Sequence, residues 1–309
     1  GKEVKLFEQD LKKFCNSKFA TVVNSCTSAL HISCLALDLK RGDYLWTTSV
    51  SFVASANCGL YCGAKVDFID INLNNYNIDV GALSKKLQKA KLKKKLPKII
   101  VVVHLGGEPC EMRKIFELSK KYKFKIIEDA CHALSARYKK HKIGSCKYSD
   151  ITTFSFHAIK NVTSGEGGAV LTNNQVIADK LKLLRSHGIS FEKKFFVKRK
   201  FKILPTHYEQ IMLGYNYRMT DFQAALARSQ LKRLKEIVKK RQKIVKYYNS
   251  AFKDLPLIPQ VLDLKSKSGY HLYILRIETK KTNKTRLQLV NYLNKNNIQV
   301  GFHYIPIFT

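Results

Sequence analysis

The chain has 309 residues, a net charge of +33 and 45% apolar residues. That length and apolar content suit one large domain with a substantial core plus a smaller one, and no apolar run approaches the length of a membrane-spanning helix. The charge would fit a nucleic-acid binder, but the lysines are spread over the whole length. The densest run, Lys85 to Lys98, carries Leu87, Leu92 and Leu96 among its charges and reads as a solvated helix leading into a strand. The charge therefore predicts weak, salt-sensitive, nonspecific nucleic-acid contact and no specific nucleic-acid partner. The eight cysteines form no Cys-x-x-Cys pair, and several lie in apolar context. With an opening that reads as a helix rather than a signal peptide, they point to a reduced, cytoplasmic protein with no metal site and no disulfide frame.

In chain order, Val4, Phe7, Leu11 and Phe14 mark an amphipathic helix over 3–15. Residues 19–23 read as a strand, 24–28 as a polar turn and 29–37 as a helix. The free N–H groups and hydroxyls at such a helix start suit an anion, though an ordinary cap is the commoner case. Strands are expected at 44–47, 66–69, 99–103 and 124–127. Helices are expected at 51–62, 83–90 and 112–121. Strands alternating with helices imply a parallel, doubly wound sheet, in which ligands gather at the carboxyl ends of strands. His104, Asp129, His132, Ser155 and Lys160 all fall at or just past such ends.

Residues 151–168, ITTFSFHAIKNVTSGEGG, are the focus. An apolar, β-branched run from Ile151 to Phe156 reads as a buried strand, and Gly165 to Gly168 form a turn that lets backbone approach a ligand. Between them lies Lys160, with no charged neighbour from Ile151 to Ser164. A lysine in a poorly hydrated pocket loses proton affinity and can attack a carbonyl. A strand at 169–172 and a helix at 175–186 follow. Residues 188–214 read as a long basic and aromatic loop of the functional or interface kind. A long helix is expected over 220–252, and Pro256 and Pro259 mark a boundary. The expected domains are 1–254 and a smaller α/β unit over 255–309, with strand 270–277, helix 287–293 and strand 298–304. Both ends break off in mid-pattern, so further segments are expected before Gly1 and after Thr309.

These residues suit pyridoxal phosphate. Lys160 would meet its aldehyde, Thr27 and Ser28 with Ser155 its phosphate, Asp129 its pyridine nitrogen, and Phe52 with the Ala130–His132 segment its ring. The stretches NSCTSALH (24–31), SFVASAN (51–57), EDACHA (128–133), SFHAIKNVTSGEGGAV (155–170), LLRSHG (183–188), GYNYRMTDFQAAL (214–226) and FHYIP (302–306) resemble the DegT/DnrJ/StrS family of nucleotide-sugar aminotransferases over essentially the whole chain. GDYLWTTSVSFVASANC and SFHAIK are most similar to the aminotransferases of pseudaminic acid biosynthesis.

The resemblance implies the aspartate-aminotransferase type of fold (PLP fold type I) and a homodimer with shared sites. It implies transfer of an amino group from an amino acid, glutamate by family expectation, to C4 of a UDP-linked 4-keto-6-deoxy-N-acetylhexosamine. Carried over by position, it gives Lys160 the Schiff base and the proton shuttle, Asp129 the pyridinium, and His132 the ring oxygen. Thr27, Ser28 and Ser155 take the phosphate, and Phe52 stacks on the ring. Asn216 would reach the phosphate of the neighbouring subunit. His303 and Tyr304 are expected near the sugar, and Arg218 and Arg185 near the substrate diphosphate. Some relatives carry His in place of the lysine and act as dehydratases, which Lys160 argues against. Cys26 stands where the family pattern often has Gly. The rival readings are a catalytically silent sensor or scaffold on the same fold and, further off, a basic nucleic-acid-binding protein.

Overall fold

A computed structural model of the chain describes residues 1–192 and 207–307. Val4, Phe7, Leu11 and Cys15, three and four apart, form the buried stripe of helix α1 (Lys2–Cys15). Then come β1 (Phe19–Val23), α2 (Cys26–Ala36), β2 (Tyr44–Thr48), α3 (Ala54–Tyr61), β3 (Lys65–Ile69), α4 (Val80–Leu92), β4 (Ile99–Val103), α5 (Met112–Tyr122) and β5 (Lys125–Asp129). A small hairpin of β6 (Arg137–Tyr138) and β7 (His141–Lys142) precedes β8 (Ile151–Ser155), β9 (Gly168–Thr172) and α6 (Gln175–Arg185). β10 (Ile189–Ser190) and β11 (Glu209–Gln210) pair with each other, and α7 (Asp221–Ala251) follows. The C-terminal part holds β12 (Leu257–Pro259), β13 (Leu275–Ile277) and α8 (Arg286–Lys295).

Seven strands form the main sheet in the order β1-β9-β8-β5-β4-β2-β3. β3, β2, β4, β5 and β8 run parallel, and β9 runs antiparallel to both of its neighbours. This is the α/β, mainly parallel sheet that the alternation predicts. Helices cover both faces. Along β4 the side chains alternate: Ile100 and Val102 join Phe7, Leu11, Leu83, Leu87 and Ile115 on one face, while Ile99 and Val101 join Leu30, Ile32, Cys58 and Leu181 on the other. Each such side chain, fully buried, contributes about 1.5–3 kcal/mol. The lysine-rich helix is α4. Asp79 caps it by accepting from the Ala82 N–H at 2.6 Å, and Leu83, Leu87 and Ala90 carry its buried face.

Strand register places the site. Val103 pairs with Asp129, and Asp129 pairs with Thr153. Ser155 pairs with Gly168, which pairs in turn with Val23. The carboxyl ends of β4, β5, β8 and β1 therefore meet the start of β9 along one sheet edge.

Four expectations need correction. β5 runs through Glu128 to Asp129, further than expected, because the ladders to β4 and β8 continue there. Helix α3 starts at Ala54 rather than at residue 51, because the Ser51 hydroxyl is turned onto Ser55. The strand expected over 270–277 is reduced to Leu275–Ile277, and 298–304 is not a strand. Of the loop expected over 188–214, residues 193–206 lie outside the described residues, and β10 and β11 occupy its flanks.

Candidate active site

Side chains alternate along β5, so Glu128 and Asp129 leave on opposite faces. Glu128 goes inward. Its Oε2 lies 2.9 Å from His104 Nε2, and its Oε1 accepts from Thr152 at 3.0 Å and from Ser149. His104 Nδ1 accepts from the Cys110 N–H at 3.1 Å, so the proton of the neutral ring sits on Nε2 and is donated to Glu128. His104, picked out by its place at a strand end, thus belongs to a buried network beneath the site. Asp129 turns the other way. Its Oδ2 accepts from Ser55 Oγ at 2.6 Å and its Oδ1 from the Cys131 N–H at 3.2 Å. Ser51 Oγ donates to Ser55 Oγ at 2.8 Å, so the first turn of α3 holds this carboxylate in place. Ser55 carries no charge and stands in no acid–base pattern, and sequence reasoning passed over it.

The start of α2 is built by the Asn24–Ser28 turn. Ser25 is the N-cap and accepts from the Ser28 N–H at 3.1 Å; the Ser28 hydroxyl donates to Asn24 Oδ1 at 2.7 Å. The Ser28 proton is therefore spent inside the cap, while Thr27 is half-buried beside it. The backbone N–H groups of the first helical residues point along the axis and favour an anion. Gly168 lets β9 pass under this turn: a Cβ there would lie 2.5 Å from the Ser25 carbonyl oxygen and 2.7 Å from the Cys26 nitrogen. Ser155, at the end of β8, accepts the His157 N–H at 3.4 Å and keeps its own proton to give.

Lys160 follows β8 and lines a small cavity with Cys131, His132, Leu134, Ser155, Asn161 and Val162. Its charge helps hold His132, His271 and His303 below the ordinary histidine range; burial is the larger cause at each. His132 Nδ1 faces the Gly106 N–H at 3.3 Å and accepts from it, which leaves the ring proton on Nε2, 3.4 Å from the Tyr304 hydroxyl. Burial, with Asp129 and Cys131 nearby, pushes the Tyr304 phenol up, so it stays protonated. Phe52 is 56% exposed and packs against the Tyr304 ring at 6.2 Å, so its face is open for stacking.

His271 lay inside the expected strand and was not singled out. Its ring packs on His132 at 4.4 Å, and its Nδ1 faces Asn161 Oδ1 at 3.4 Å. The Asn161 amide donates to the Gly269 carbonyl at 2.7 Å, which fixes Oδ1 as the acceptor and puts the His271 proton on Nδ1. Burial lowers the His271 pKa to about 3. Residues 268–272 are clamped across Gly106 and Gly107 by backbone bonds, and Arg241 holds the Tyr270 and His271 carbonyls. No local pattern marks His271: its partners lie more than a hundred residues earlier in the chain.

The remaining expected residues are placed apart. Asn216 and Arg218 are exposed, and Arg218 donates to Ser186 Oγ at 3.2 Å. Arg185 is corrected: its guanidinium donates to Glu8 at 2.6 Å and to the Val22 carbonyl at 2.9 Å, tying α6 to α1 and β1, and it is not free for a diphosphate.

The donor set fits pyridoxal phosphate. A buried carboxylate with a fixed direction, a helix N-terminus held close over β9 because Gly168 lacks a Cβ, and an open aromatic face on Phe52 accompany the cavity that Lys160 shares with Ser155. Among the described residues, no helix is long and apolar enough to cross a membrane.

Comparison with known proteins points the same way. The model of the DegT/DnrJ/EryC1/StrS aminotransferase family matches residues 1–309. The chain is 41% identical over 313 residues to the UDP-4-amino-4,6-dideoxy-N-acetyl-beta-L-altrosamine transaminase of Campylobacter jejuni, covering 100% of this chain and 77% of that protein. It is 36% identical to the spore coat polysaccharide biosynthesis protein SpsC of Bacillus subtilis, covering 99% and 77%. Among solved structures, Helicobacter pylori PseC, an aminotransferase involved in pseudaminic acid biosynthesis, superposes with a TM-score of 0.87 at 35% identity, covering 100% and 78%. The sugar aminotransferase Spr1654 of Streptococcus pneumoniae, described as putative and in its PMP form, gives 0.88 at 26% identity, covering 99% and 79%.

Proposed function

The chain belongs to the DegT/DnrJ/EryC1/StrS aminotransferase family and is a pyridoxal phosphate-dependent sugar transaminase, and from that premise we propose its substrates and the work of its residues. The acceptor is a UDP-linked 4-keto-6-deoxy-N-acetylhexosamine, aminated at C4, and the donor is glutamate. The supporting observation is identity of 35 to 42% with enzymes of this branch over the whole chain. The same reading divides the chain at residue 254 into a cofactor-binding unit and a smaller one. It places the enzyme in the cytoplasm as a homodimer, with the exposed Asn216 turned toward its partner's phosphate site.

When bound, pyridoxal phosphate supplies a carbonyl that condenses with amines and a protonated ring that draws electrons from the amine-bearing carbon. Asp129, its direction set by Ser55, holds the proton on the ring nitrogen. The first turn of α2, with Thr27 and Ser155, binds the phosphate. Ser28 serves by shaping that turn. Lys160 Nζ moves a proton on and off the amine-bearing carbon, a contribution typically of about 10²–10⁴ in rate. His132, neutral and donating from Nε2, orients Tyr304 over the site. His303 lies beside Tyr304 and faces the sugar, and the exposed Arg218 is kept for the diphosphate.

The test is direct: the purified protein with pyridoxal phosphate, glutamate and the UDP-4-keto sugar, analysed by mass spectrometry beside Lys160→Ala. A UDP-amino sugar and 2-oxoglutarate in equal amounts, from the parent protein only, are expected. Cofactor binding without any amine transfer would overturn the assignment in favour of a silent member of the fold.

A further inference from the structure

Two cysteines meet inside this site. Cys26 is the first residue of α2, and Cys131 lies two residues past Asp129. Their Sγ atoms are 3.0 Å apart, with Cys131 placed to donate its S–H to Cys26. This hydrogen bond and, after it, burial raise the Cys131 pKa well above that of an ordinary thiol, so the proton stays on its sulfur. Cys131 is half-buried and lines the cavity shared with Lys160, so small reagents that enter the site reach it. The chemistry described above needs neither thiol.

With Asp129 the pair forms a cluster of ligand atoms within 4.8 Å. The spacing disfavours a metal: two thiolates on one tetrahedral zinc, each at about 2.3 Å, stand roughly 3.8 Å apart. A disulfide needs about 2.05 Å, so the two sulfurs must close by about 1 Å, which draws the start of α2 and the segment after Asp129 toward each other.

We propose that Cys26 and Cys131 are an oxidisable dithiol whose disulfide locks the cofactor site. The oxidant is a hydroperoxide. Cys131 keeps its proton, so Cys26 attacks the peroxide as its thiolate after releasing a proton to solvent; the O–O bond breaks, the departing oxygen takes up a proton and leaves as water or an alcohol, and a sulfenic acid remains on Cys26. The second thiol displaces water from it to form the S–S bond. Two thiol hydrogens and two electrons have then passed to the peroxide. The new bond ties the first turn of α2, which would receive the phosphate, to the Asp129–His132 segment, which would receive the ring. The oxidised site therefore refuses pyridoxal phosphate, and the loaded site shields the thiols. The effect on cofactor rests on the proposed function, whereas the formation of the bond does not.

The experiment treats the full chain, freed of cofactor and reduced, with hydrogen peroxide, and reads it by intact mass, peptide mapping and uptake of pyridoxal phosphate. A product two hydrogens lighter is expected, with a cross-linked peptide containing Cys26 and Cys131. Uptake should be lost and then restored by dithiothreitol, and preloading with cofactor should slow the reaction. Cys26→Ala and Cys131→Ser, made separately, should each remove the cross-link. A cross-link confined to the neighbouring cysteines of α2 and α3 (Cys34, Cys58, Cys62) would overturn the proposal. So would oxygen added to Cys131 without a cross-link, or a 26–131 bond that leaves uptake unchanged. If the untreated, reduced protein takes up no cofactor, the proposed function fails, and the mapping still decides the dithiol.

Discussion

The seven-stranded sheet and the C-terminal segment after α7 are held in different ways. Every strand of the sheet interior is buried and helices close both faces, so the sheet supplies its own core. In the C-terminal segment, α8 buries none of its residues, and Leu264, Leu287, Tyr292 and Ile305 are exposed. What this segment does bury is small or polar: Ser268, Gly269 and His271, the last of them packed on His132. It is attached partly at the active site, by His271 on His132 and Asn161, by Gly269, His271 and Leu272 on Gly106 and Gly107, and by Tyr304 on His132, and partly beside it, by Asp263 on Glu108, Gln260 on Asn75 and Leu105, and Lys267 on Arg137. The lesson is that the sheet carries both its own core and the reactive residues, while the C-terminal segment adds contacts at the site with little core of its own.

The largest expected effect tests function without stability. Lys160→Ala should lower turnover by at least the roughly 10²–10⁴ of a proton-moving lysine, and should abolish the visible absorbance of bound cofactor. Its thermal unfolding, compared with the parent in the absence of cofactor, should stay unchanged, because Lys160 is absent from both core clusters. An equal loss of stability would break the comparison.

Next is one substitution made in both regions. Leu87→Ala, at a fully buried position of α4, should cost about 2–5 kcal/mol in denaturant unfolding. Leu287→Ala in α8, where the side chain is 65% exposed, should stay within about 0.5 kcal/mol. Similar costs at the two positions would mean that α8 packs as the sheet helices do.

Two smaller effects come from protons at the joint between the regions. Glu108 is buried, accepts the Asp263 N–H at 2.9 Å, and is pushed by that burial from 4.5 up to about 7. The folded state then binds more protons than the unfolded one between these values, so stability falls as pH rises from 4.5 to 7. The loss is on the order of 3 kcal/mol, and Glu108→Gln should remove it in unfolding curves taken across that range. His271 has the opposite sign. Its pKa is lowered from 6.5 to about 3, so its contribution is whole above 6.5 and is lost as pH falls toward 3. His271→Asn should flatten that acid limb. Because His271 and His132 stay neutral at pH 7, neither should add an inflection to the rate profile between pH 6 and 8.

The sheet was legible in the sequence because its signal is local. Short apolar runs between polar turns gave β1 and β4 to the residue, and the alternation of strands and helices gave the parallel order. Lys160, Asp129 and Ser155 were legible for a related reason: strand ends on one sheet edge meet whatever lies between them. The rest was not local. Ser55 matters through one bond to a residue 74 positions away. Arg185 looked like a free cation because its partner, Glu8, lies 177 positions earlier. The run over 270–277 has strand composition, but at its start the Gly106 carbonyl takes the His271 and Leu272 N–H groups and Arg241 takes the Tyr270 and His271 carbonyls.

The reversed strand β9 has a consequence for how this enzyme could be rebuilt. Lys160 is carried between two antiparallel neighbours whose ends are pinned where Ser155 faces Gly168. The lysine-bearing stretch, 156–167, is thus a cassette closed at both ends, unlike the strand-to-helix loops that bear the other site residues. Phe156 and Val162 root it in the core and Asn161 ties it to Gly269, so exchanges at the exposed Ala158 and Ile159 beside the lysine are the ones that leave both the strands and the site in register.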